Sequence, residues 1–368
     1  MNIALIAAGS LISRKEATWL TLTSLAKYYQ QQGHQVWICA QAHRSLPRFE
    51  RWDAIPILRI APAGRLGKLL IGHTSASFLR QRGVKIDIIH GFSSSPALAI
   101  NTLLARRIFP QAKTIHTIKS LAVDQQARFL FTSWLSKVDL ITVPTFILKR
   151  KLVNFGCPEE KIKIIHSNID VQKYKPRSAS LLRRKYGYKK KVILYYGALR
   201  PEKGVDTLMA AIPWVLQLQD VHFLFAIRSQ VEQKRQRYLQ RAAKLGIVEN
   251  ITITLDDLPI EEYVSMADAV VLAYPTLTGT EGNPSCVLES MAAGTPVITT
   301  NLPELQEIVS DKEVIMVKPK DPVALAMAIN KVLTDRALRE KLSRNGRKKA
   351  LEFSTEKIGK EFLEVYSG

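Results

Sequence analysis

Short runs of apolar, β-branched residues alternate with longer amphipathic stretches along most of the 368-residue chain. Strands buried on both faces of a parallel sheet have this composition, and helices are the usual connections between parallel strands. The alternation therefore predicts an α/β protein built from doubly wound sheets covered by helices. The length also suits two domains of ordinary size better than one.

The alternation occurs twice. In the first half it predicts a helix over 17–32 that ends at Gly33, and strands over 2–7, 35–40, 86–90, 113–116, 140–143 and 161–165. After a break near Lys175-Pro176-Arg177, it predicts strands over 191–196, 221–227, 251–255, 269–272 and 297–299, and helices over 206–216, 230–245, 322–333 and 353–366. We therefore predict an N-terminal domain over 1–170, a second domain over 177–350 and a C-terminal helix over 351–368, with ligands at the carboxyl ends of the strands.

The positive charge is concentrated in the first half. The formal net charge is +21, and residues 1–175 hold 25 Lys and Arg against 9 Asp and Glu, whereas residues 176–368 hold 28 against 23. A basic excess confined to one half favours an anionic partner for that half, either phospholipid or nucleic acid. A solvated basic surface without a partner is the alternative.

Cysteine usage and hydropathy indicate the compartment. Cys39, Cys157 and Cys286 are widely spaced and odd in number, which excludes a disulfide framework and fits a reducing environment. The apolar run over 1–9 is short and no basic stretch precedes it, so we interpret it as a buried strand and not as a signal peptide. Uncharged apolar runs do not reach the length of a membrane span. We expect a cytoplasmic protein, either soluble or peripheral on a membrane.

The segment 274–294 carries the strongest site signal. A buried strand ends at Leu272, a loop of glycine, proline and threonine follows, and a helix is predicted from about Pro284. The free N–H groups of such a helix start form a seat for a diphosphate. Glu281 and Glu289 flank this seat, so their carboxylates can accept hydrogen bonds from hydroxyls at the two ends of a nucleotide sugar. A capping acid and a surface glutamate are the structural alternative.

The stretch from Glu281 to Ile298 resembles the Glu-x7-Glu signature of glycosyltransferase family 4. Other parts resemble further motifs of that family in the same order: the histidine loop at 114–117, the inter-domain segment at 164–170, the Gly-Arg-Leu-x-x-Glu-Lys-Gly loop at 197–204 and the Ala-Ala-Asp helix end at 265–268. The resemblance implies a GT-B fold, in which two Rossmann-like domains face a central cleft and the C-terminal helix packs back toward the first domain. It also implies a retaining transfer from a nucleotide sugar.

The resemblance further implies roles for individual residues. Glu289 would bind the ribose hydroxyls, Glu281 the donor sugar and Lys203 the diphosphate, while His116 would approach the donor sugar across the cleft. Gly282, Asn283 and Pro284 would let backbone amides approach the sugar and phosphates, and the remaining candidates for substrate binding are Gly9 and Ser285, with Arg200 and Arg228 at places where the chain departs from the family. Neither a metal ion nor another cofactor is expected, because the cations and the helix N-terminus supply the positive charge.

The chain departs from the family pattern at four places, one of which is the hinge, where Ser167-Asn168 stands in place of Asn-Gly. The arginine after the first glycine of the 197–204 loop is Ala198, and Arg200 is the nearest replacement. The glycine-rich loop after the first strand keeps only Gly9. The Gly-x-Gly after the third strand of the second domain is replaced by the segment 226–229, in which Arg228 is either a diphosphate ligand or a surface arginine.

Taken together, these features predict a hexosyltransferase that moves a sugar from a nucleoside-diphosphate sugar to a membrane-associated acceptor, either lipid-linked or a cell-envelope polysaccharide. Three alternatives stay open: a GT-B epimerase of nucleotide sugars, a basic nucleic-acid-binding protein without catalysis, and a lectin-like regulator. Specific nucleic-acid binding is not expected, since no recognition motif accompanies the basic helix predicted over 230–245.

The basic stretch 44–85 predicts where the first domain meets an anionic membrane, on its cytoplasmic face. Its basic residues are Arg44, Arg48, Arg51, Arg59, Arg65, Lys68, Arg80, Arg82 and Lys85, and the apolar residues among them are Trp52, Leu66, Leu69, Leu70 and Ile71. The sequence over 67–72 predicts an apolar edge beneath basic flanks. Packing of residues 69–71 in the core is the alternative.

Overall fold

The protein is described here by a computed structural model that covers residues 1–7, 9, 11, 17–121, 128–227, 232–277 and 284–368. The chain divides into two compact units. The first unit comprises Met1–Ile169 and Thr355–Gly368, and the second comprises Asp170–Leu277 and Pro284–Ser354. In the ranges described, every helix is too short or too polar to cross a lipid bilayer.

The first unit is a parallel sheet with helices on both faces. Its elements are β1 Asn2–Ala7, α1 Ala17–Gln31, β2 Gln35–Gln41, β3 Phe49–Trp52, β4 Ile55–Ala61, α2 Arg65–Gln81, β5 Ile88–Ser93, α3 Ile100–Ile108, β6 Lys113–Ile118, α4 Arg128–Leu135, β7 Leu140–Val143, α5 Phe146–Asn154 and β8 Ile162–Ile164. The described strands lie in the order β3-β4-β2-β1-β5-β6-β7-β8. All neighbouring pairs are parallel except the β3–β4 hairpin.

Strand β1 shows why the sheet is buried on both faces. Ile3 and Leu5 point into a core shared with α1, whereas Ala4 and Ile6 point into a second core shared with α2 and α3. Side chains alternate between the two faces of a strand, so a run without polar alternation needs a helical layer on each side. The amphipathic helices therefore cover both faces of the sheet.

The second unit repeats this architecture. Its elements are α6 Ala179–Lys185, β9 Lys191–Gly197, α7 Val205–Leu216, β10 Val221–Ile227, α8 Glu232–Lys244, β11 Ile251–Thr254, α9 Ile260–Met266, β12 Ala269–Leu272, α10 Ser285–Ala292, β13 Val297–Thr300, α11 Pro303–Gln306, β14 Ile315–Val317, α12 Pro322–Thr334 and α13 Arg336–Ala350. The described strands are parallel and lie in the order β11-β10-β9-β12-β13-β14. The strand order reverses between β9 and β12, and ligands of doubly wound sheets bind at this switch point.

The last helix, α14 at Thr355–Ser367, belongs to the first unit. Phe362 and Tyr366 join the core on the α1 side of the sheet. The Tyr366 hydroxyl lies 2.6 Å from Nδ1 of His90 and 3.3 Å from the Tyr29 hydroxyl, and Nε2 of His90 lies 2.7 Å from Oγ1 of Thr117. Burial lowers the pKa of His90, so a neutral imidazole ties the C-terminal helix to the sheet.

The hairpin of β3 and β4 was not predicted from the sequence. β3 has only four residues and contains charged ones, and Pro56 and Arg59 interrupt the apolar pattern of β4, so the sequence there gives little signal of a strand. Asp53 and Ala54 form the two-residue connection, with φ of 46° and 67°. Two consecutive positive φ angles characterise the tight turn that suits the twist of a hairpin.

The predicted apolar edge at 67–72 is wrong in part. Gly67 and Gly72 lie on the inner face of α2, where a Cβ would approach the carbonyl oxygens of Pro62 and Asn101 to within 1.6 and 1.8 Å. These close approaches bring the helix against its neighbours and bury Ile71 completely. Leu66, Leu69 and Leu70 point outward instead, with 78%, 37% and 38% of their surface exposed.

Two other members of the predicted membrane-facing set also lie elsewhere. Arg59 is buried, and its guanidinium donates to Oε2 of Glu50 at 2.8 Å. The Trp52 ring packs edge-on against Trp19, with 5.9 Å between the ring centroids. Arg59 therefore compensates a carboxylate of the protein itself, and Trp52 contributes to the core.

Candidate functional site

The loop after β9 lies at the switch point of the second sheet. A short 3-10 helix, Pro201–Lys203, leads into α7 through Gly204, whose φ is +78°. A Cβ on Gly204 would lie 1.9 Å from the carbonyl oxygen of Ala273, just past the end of β12. The loop after β9 is therefore seated directly on the end of β12, at a position that only glycine allows.

This seating places Lys203 above an aromatic ring. Its Nζ lies 5.4 Å from the centroid of Tyr274. A cation over a tyrosine face is attracted by the ring quadrupole, which restrains the side chain without neutralising its charge. Lys203 is half-buried. Its ammonium therefore lies at the edge of the sheet where the sequence predicts a diphosphate.

The adjacent residues of this loop have less constrained side chains. Arg200 is exposed and begins the short helix, and its carbonyl accepts a hydrogen bond from the Lys203 amide at 3.0 Å. Ala198 stands where the family has arginine, and its carbonyl accepts from the Tyr195 hydroxyl at 2.7 Å. The Tyr195 hydroxyl thus restrains the backbone at Ala198, the position that lacks the arginine side chain of the family.

Helix α10 carries Glu289 at the same edge. Pro284 and Ser285 lie at the start of the helix, which agrees with the predicted helix start near 284–285. Glu289 is only 3% exposed, and its Oε2 accepts a hydrogen bond from the hydroxyl of Tyr196 at 3.1 Å. The alternative interpretation of the sequence, a capping acid and a surface glutamate, does not describe Glu289, because its carboxylate is buried.

The structure places His116 in the interior of the first unit. It lies on β6 and is 1% exposed, with Nε2 2.9 Å from the Ser93 hydroxyl and Nδ1 2.9 Å from the Thr102 hydroxyl. Burial lowers the pKa of His116 to about 3, so the ring is neutral at physiological pH. A contact with a sugar would require one of these two hydrogen bonds to open.

Gly9 follows β1, at the switch point of the first sheet between β1 and β5. Its carbonyl accepts a hydrogen bond from the Gln41 amide at 3.0 Å, and a Cβ there would lie more than 4 Å from every heavy atom of the other described residues. The other predicted site residues, Arg228, Glu281, Gly282 and Asn283, lie outside the described residues.

One motif residue has a structural role. Asp268, the last residue of the predicted Ala-Ala-Asp helix end, accepts hydrogen bonds from the Arg183 guanidinium at 2.5 Å and from the Val192 amide at 2.8 Å through Oδ2. It thereby joins α6 to the start of β9, at the opposite end of that strand from the Lys203 loop. Within the described ranges, no cluster of His, Cys, Asp and Glu could hold a metal ion.

Tyr196 and Tyr274 contact the two predicted ligand-binding side chains, Glu289 and Lys203, but neither tyrosine was assigned a role from the sequence. Tyr196 is a hydroxyl-bearing residue at the end of an apolar strand, and that polarity is the signal that could have indicated it. Its partner Glu289 is 93 residues away in the chain, so the contact itself depends on the tertiary fold.

Two families match the chain. Residues 181–349 match Glycosyl transferases group 1, and residues 20–173 match Glycosyltransferase Family 4. An uncharacterised glycosyltransferase of Methanocaldococcus jannaschii is 25% identical, over 93% of this chain and 92% of that protein. Alpha-monoglucosyldiacylglycerol synthase of Streptococcus pneumoniae is 24% identical, over 79% of this chain and 69% of that protein.

Solved structures share the fold. The crystal structure of Anabaena HepE in complex with UDP and glucose superposes with a TM-score of 0.81 at 19% identity and covers all of both chains. Sucrose-phosphate synthase of Thermosynechococcus elongatus superposes with a TM-score of 0.82 at 20% identity, over 100% of this chain and 98% of that one. Both similarities extend over the two units and not over one alone.

Proposed function

Because the chain is a GT-B glycosyltransferase whose halves match glycosyltransferase family 4 and the group 1 transferases, we propose that it transfers a sugar from a nucleoside-diphosphate sugar to a membrane-associated acceptor. The observation that carries the donor part is the buried Glu289 carboxylate on α10, at the switch point that also positions Lys203. The acceptor is lipid-linked or a cell-envelope glycan. The streptococcal relative is named as a synthase of a glucosylated diacylglycerol, which agrees with a lipid acceptor.

In this proposal, different residues bind the ribose, the diphosphate and the sugar of the donor. Glu289 accepts hydrogen bonds from the ribose hydroxyls, and Lys203 and Arg200 neutralise the diphosphate together with the amides near Pro284 and Ser285. Glu281, Gly282 and Asn283 bind the sugar, and Arg228 is a further candidate for the phosphates. Positive charge fixed beforehand stabilises the diphosphate as its bond to the sugar breaks, because little reorganisation is then needed.

The reaction retains the configuration of the sugar. The acceptor hydroxyl attacks the anomeric carbon on the face from which the diphosphate departs. The bond from that carbon to the phosphate oxygen breaks, its electron pair stays with the diphosphate, and the acceptor's hydroxyl proton moves to a departing phosphate oxygen. The protein supplies no nucleophile and no metal ion in this scheme. The predicted approach of His116 to the sugar requires His116 to exchange a hydrogen bond with Ser93 or Thr102.

The donor site is tested by replacing Glu289. A thermal-shift screen with UDP, GDP, ADP and their sugars first identifies the nucleotide, because ligand binding to the folded state raises stability. Glu289→Gln should then weaken its binding by about 1.5–3 kcal/mol, the value of a hydrogen bond to a charged group. Glu262→Gln is the matched control, since Glu262 lies in the same unit and bonds Lys185 and Tyr186. Equal affinity in both variants would refute the ribose role.

Two further assays address the reaction class. Incubation of the donor without acceptor should give neither an epimer nor a new glycoside, whereas an epimerase would convert the donor alone. Activity should persist in EDTA, because lysine and helix amides supply the charge that a metal would provide. Loss of activity in EDTA that manganese or magnesium restores would overturn the metal-independent scheme.

The membrane part of the proposal rests on the outward face of α2. Leu66, Leu69 and Leu70 are exposed beside Arg65 and Lys68, which are exposed as well. An apolar patch flanked by basic side chains binds the interface of an anionic bilayer, and each basic residue near the surface adds about 1 kcal/mol. This patch, at the start of α2, is a smaller surface than the whole basic stretch from 44 to 85.

Flotation with liposomes tests this surface. Wild-type protein should float with vesicles that contain phosphatidylglycerol, less at high salt, and little with neutral vesicles. Replacing Leu66, Leu69 and Leu70 by serine should abolish flotation. Serine at Leu218 and Met327, exposed apolar residues of the second unit, is the control and should not change it. Equal recovery with neutral and anionic vesicles would favour a soluble glycan or protein acceptor.

A further inference from the structure

Tyr196 is the last residue before the glycine that ends β9, and its side chain lies beneath α10. Tyr195, one residue earlier, belongs to the core on the opposite face of the sheet, as strand alternation requires. The Tyr196 side chain is 1% exposed. Its hydroxyl lies 3.1 Å from Oε2 of Glu289, 2.8 Å from the Cys286 carbonyl oxygen and 3.1 Å from the Ser290 hydroxyl.

The hydroxyl protons of this cluster can be assigned from the acceptors present. Tyr196 and Ser290 each have one proton to donate. The Ser290 hydroxyl lies 2.7 Å from the Cys286 carbonyl of the preceding helical turn and donates to it. The Tyr196 proton has two acceptors within reach, the Cys286 carbonyl oxygen at 2.8 Å and Oε2 of Glu289 at 3.1 Å, and a hydrogen bond to a carboxylate is about twice as strong as one to a neutral carbonyl, which favours Glu289.

We propose that Tyr196 is a positioning residue for donor binding, whose hydroxyl fixes the Glu289 carboxylate in the orientation that receives the ribose hydroxyls. This inference rests on the proposed role of Glu289. A glutamate side chain has three rotatable bonds, and a ribose presents two adjacent hydroxyls that must meet its oxygens together. The hydrogen bond from Tyr196 to Oε2 reduces the orientations that the carboxylate samples before the nucleotide binds. A carboxylate that accepts one hydrogen bond still has lone pairs for the ribose hydroxyls.

The contact predicts a particular kinetic signature. Ribose stays bound unchanged while the glycosidic bond breaks, so a contact to it stabilises the ground state and the transition state equally. Tyr196→Phe should therefore raise KM for the donor about tenfold and leave kcat within about twofold. It should also reduce the preference for the ribonucleotide over its 2′-deoxy counterpart, because a poorly oriented carboxylate gains less from that hydroxyl.

A matched control is available in the same unit. The Tyr186 hydroxyl donates to Oε2 of Glu262 at 2.6 Å, so Tyr186→Phe also removes a tyrosine donor from a glutamate. This variant should keep the wild-type KM and deoxy discrimination.

The measurements are the donor KM and kcat of the full chain, and titration calorimetry with the nucleotide found in the screen and its 2′-deoxy form. An unchanged KM in Tyr196→Phe refutes the positioning role. A raised KM with undiminished deoxy discrimination refutes it too, because the effect would then be a general disturbance of the site. If Glu289→Gln itself leaves discrimination intact, the ribose role of Glu289 fails; if only Tyr196→Phe does so, the positioning inference alone fails.

Discussion

Adding one methyl group at Gly204 should destabilise the protein in two ways, through a steric clash and through an unfavourable backbone conformation. A Cβ there would lie 1.9 Å from the oxygen and 2.3 Å from the carbon of the Ala273 carbonyl, closer than any van der Waals contact allows. The backbone is also left-handed, with φ of +78°. Left-handed backbone costs a non-glycine residue about 1–2 kcal/mol, and overpacking adds about 1–3 kcal/mol. Gly204→Ala should therefore destabilise the second unit by about 2–5 kcal/mol.

Gly246 supplies the control. Its φ is +66°, but among the residues that the structure describes, a Cβ there would meet no heavy atom within 4 Å. Gly246→Ala should cost only the conformational part, about 1–2 kcal/mol. Both variants would be measured by urea unfolding followed by circular dichroism, together with donor KM. Because relief of the clash displaces the loop that carries Lys203, Gly204→Ala should also raise KM, whereas Gly246→Ala should not. Equal unfolding midpoints and equal KM values would refute the close approach as the reason for glycine at 204.

Three further predictions follow from other contacts. Lys203→Ala should lower kcat/KM at least about a hundredfold, since the diphosphate loses a charged ligand, while Lys244→Ala on exposed α8 should have no effect; full activity in Lys203→Ala would refute its role. His116 has a folded pKa of about 3 against about 6.5 unfolded, so the unfolded chain takes up its proton first as pH falls, and wild type should lose about 2 kcal/mol of stability between pH 8 and pH 5 through this residue. His116→Gln should unfold with a flatter pH dependence, and parallel curves would contradict the buried neutral ring. Ala54→Gly should stabilise the protein by about 0.5–1 kcal/mol in thermal melts, because glycine relieves the left-handed φ of 67°; a lower Tm would show that the turn is unstrained.

Local patterns were sufficient for the elements that are themselves local. The predicted strands at 2–7, 140–143, 221–227 and 269–272 have the same bounds in the structure, and the helix after Pro284 begins at Ser285. Periodicity is a property of neighbouring residues, so buried strands and amphipathic helices can be identified without knowing their partners. The doubly wound class follows from the alternation for the same reason.

The sequence by itself therefore determined most of the buried strands, several of the amphipathic helices and the short motifs that stand at strand ends, but not the β3–β4 hairpin. The tertiary structure decided what those residues contact. Tyr196 meets Glu289, and Gly204 meets Ala273, because β9 and β12 are neighbours in a sheet whose order skips the strands between them. Likewise, Gly67 faces inward and is not part of an apolar edge. Which face of α2 is buried depends on the segment that packs against it, here the backbone at Pro62. Such contacts join residues far apart in the chain, and only the strand order and helix packing bring them together.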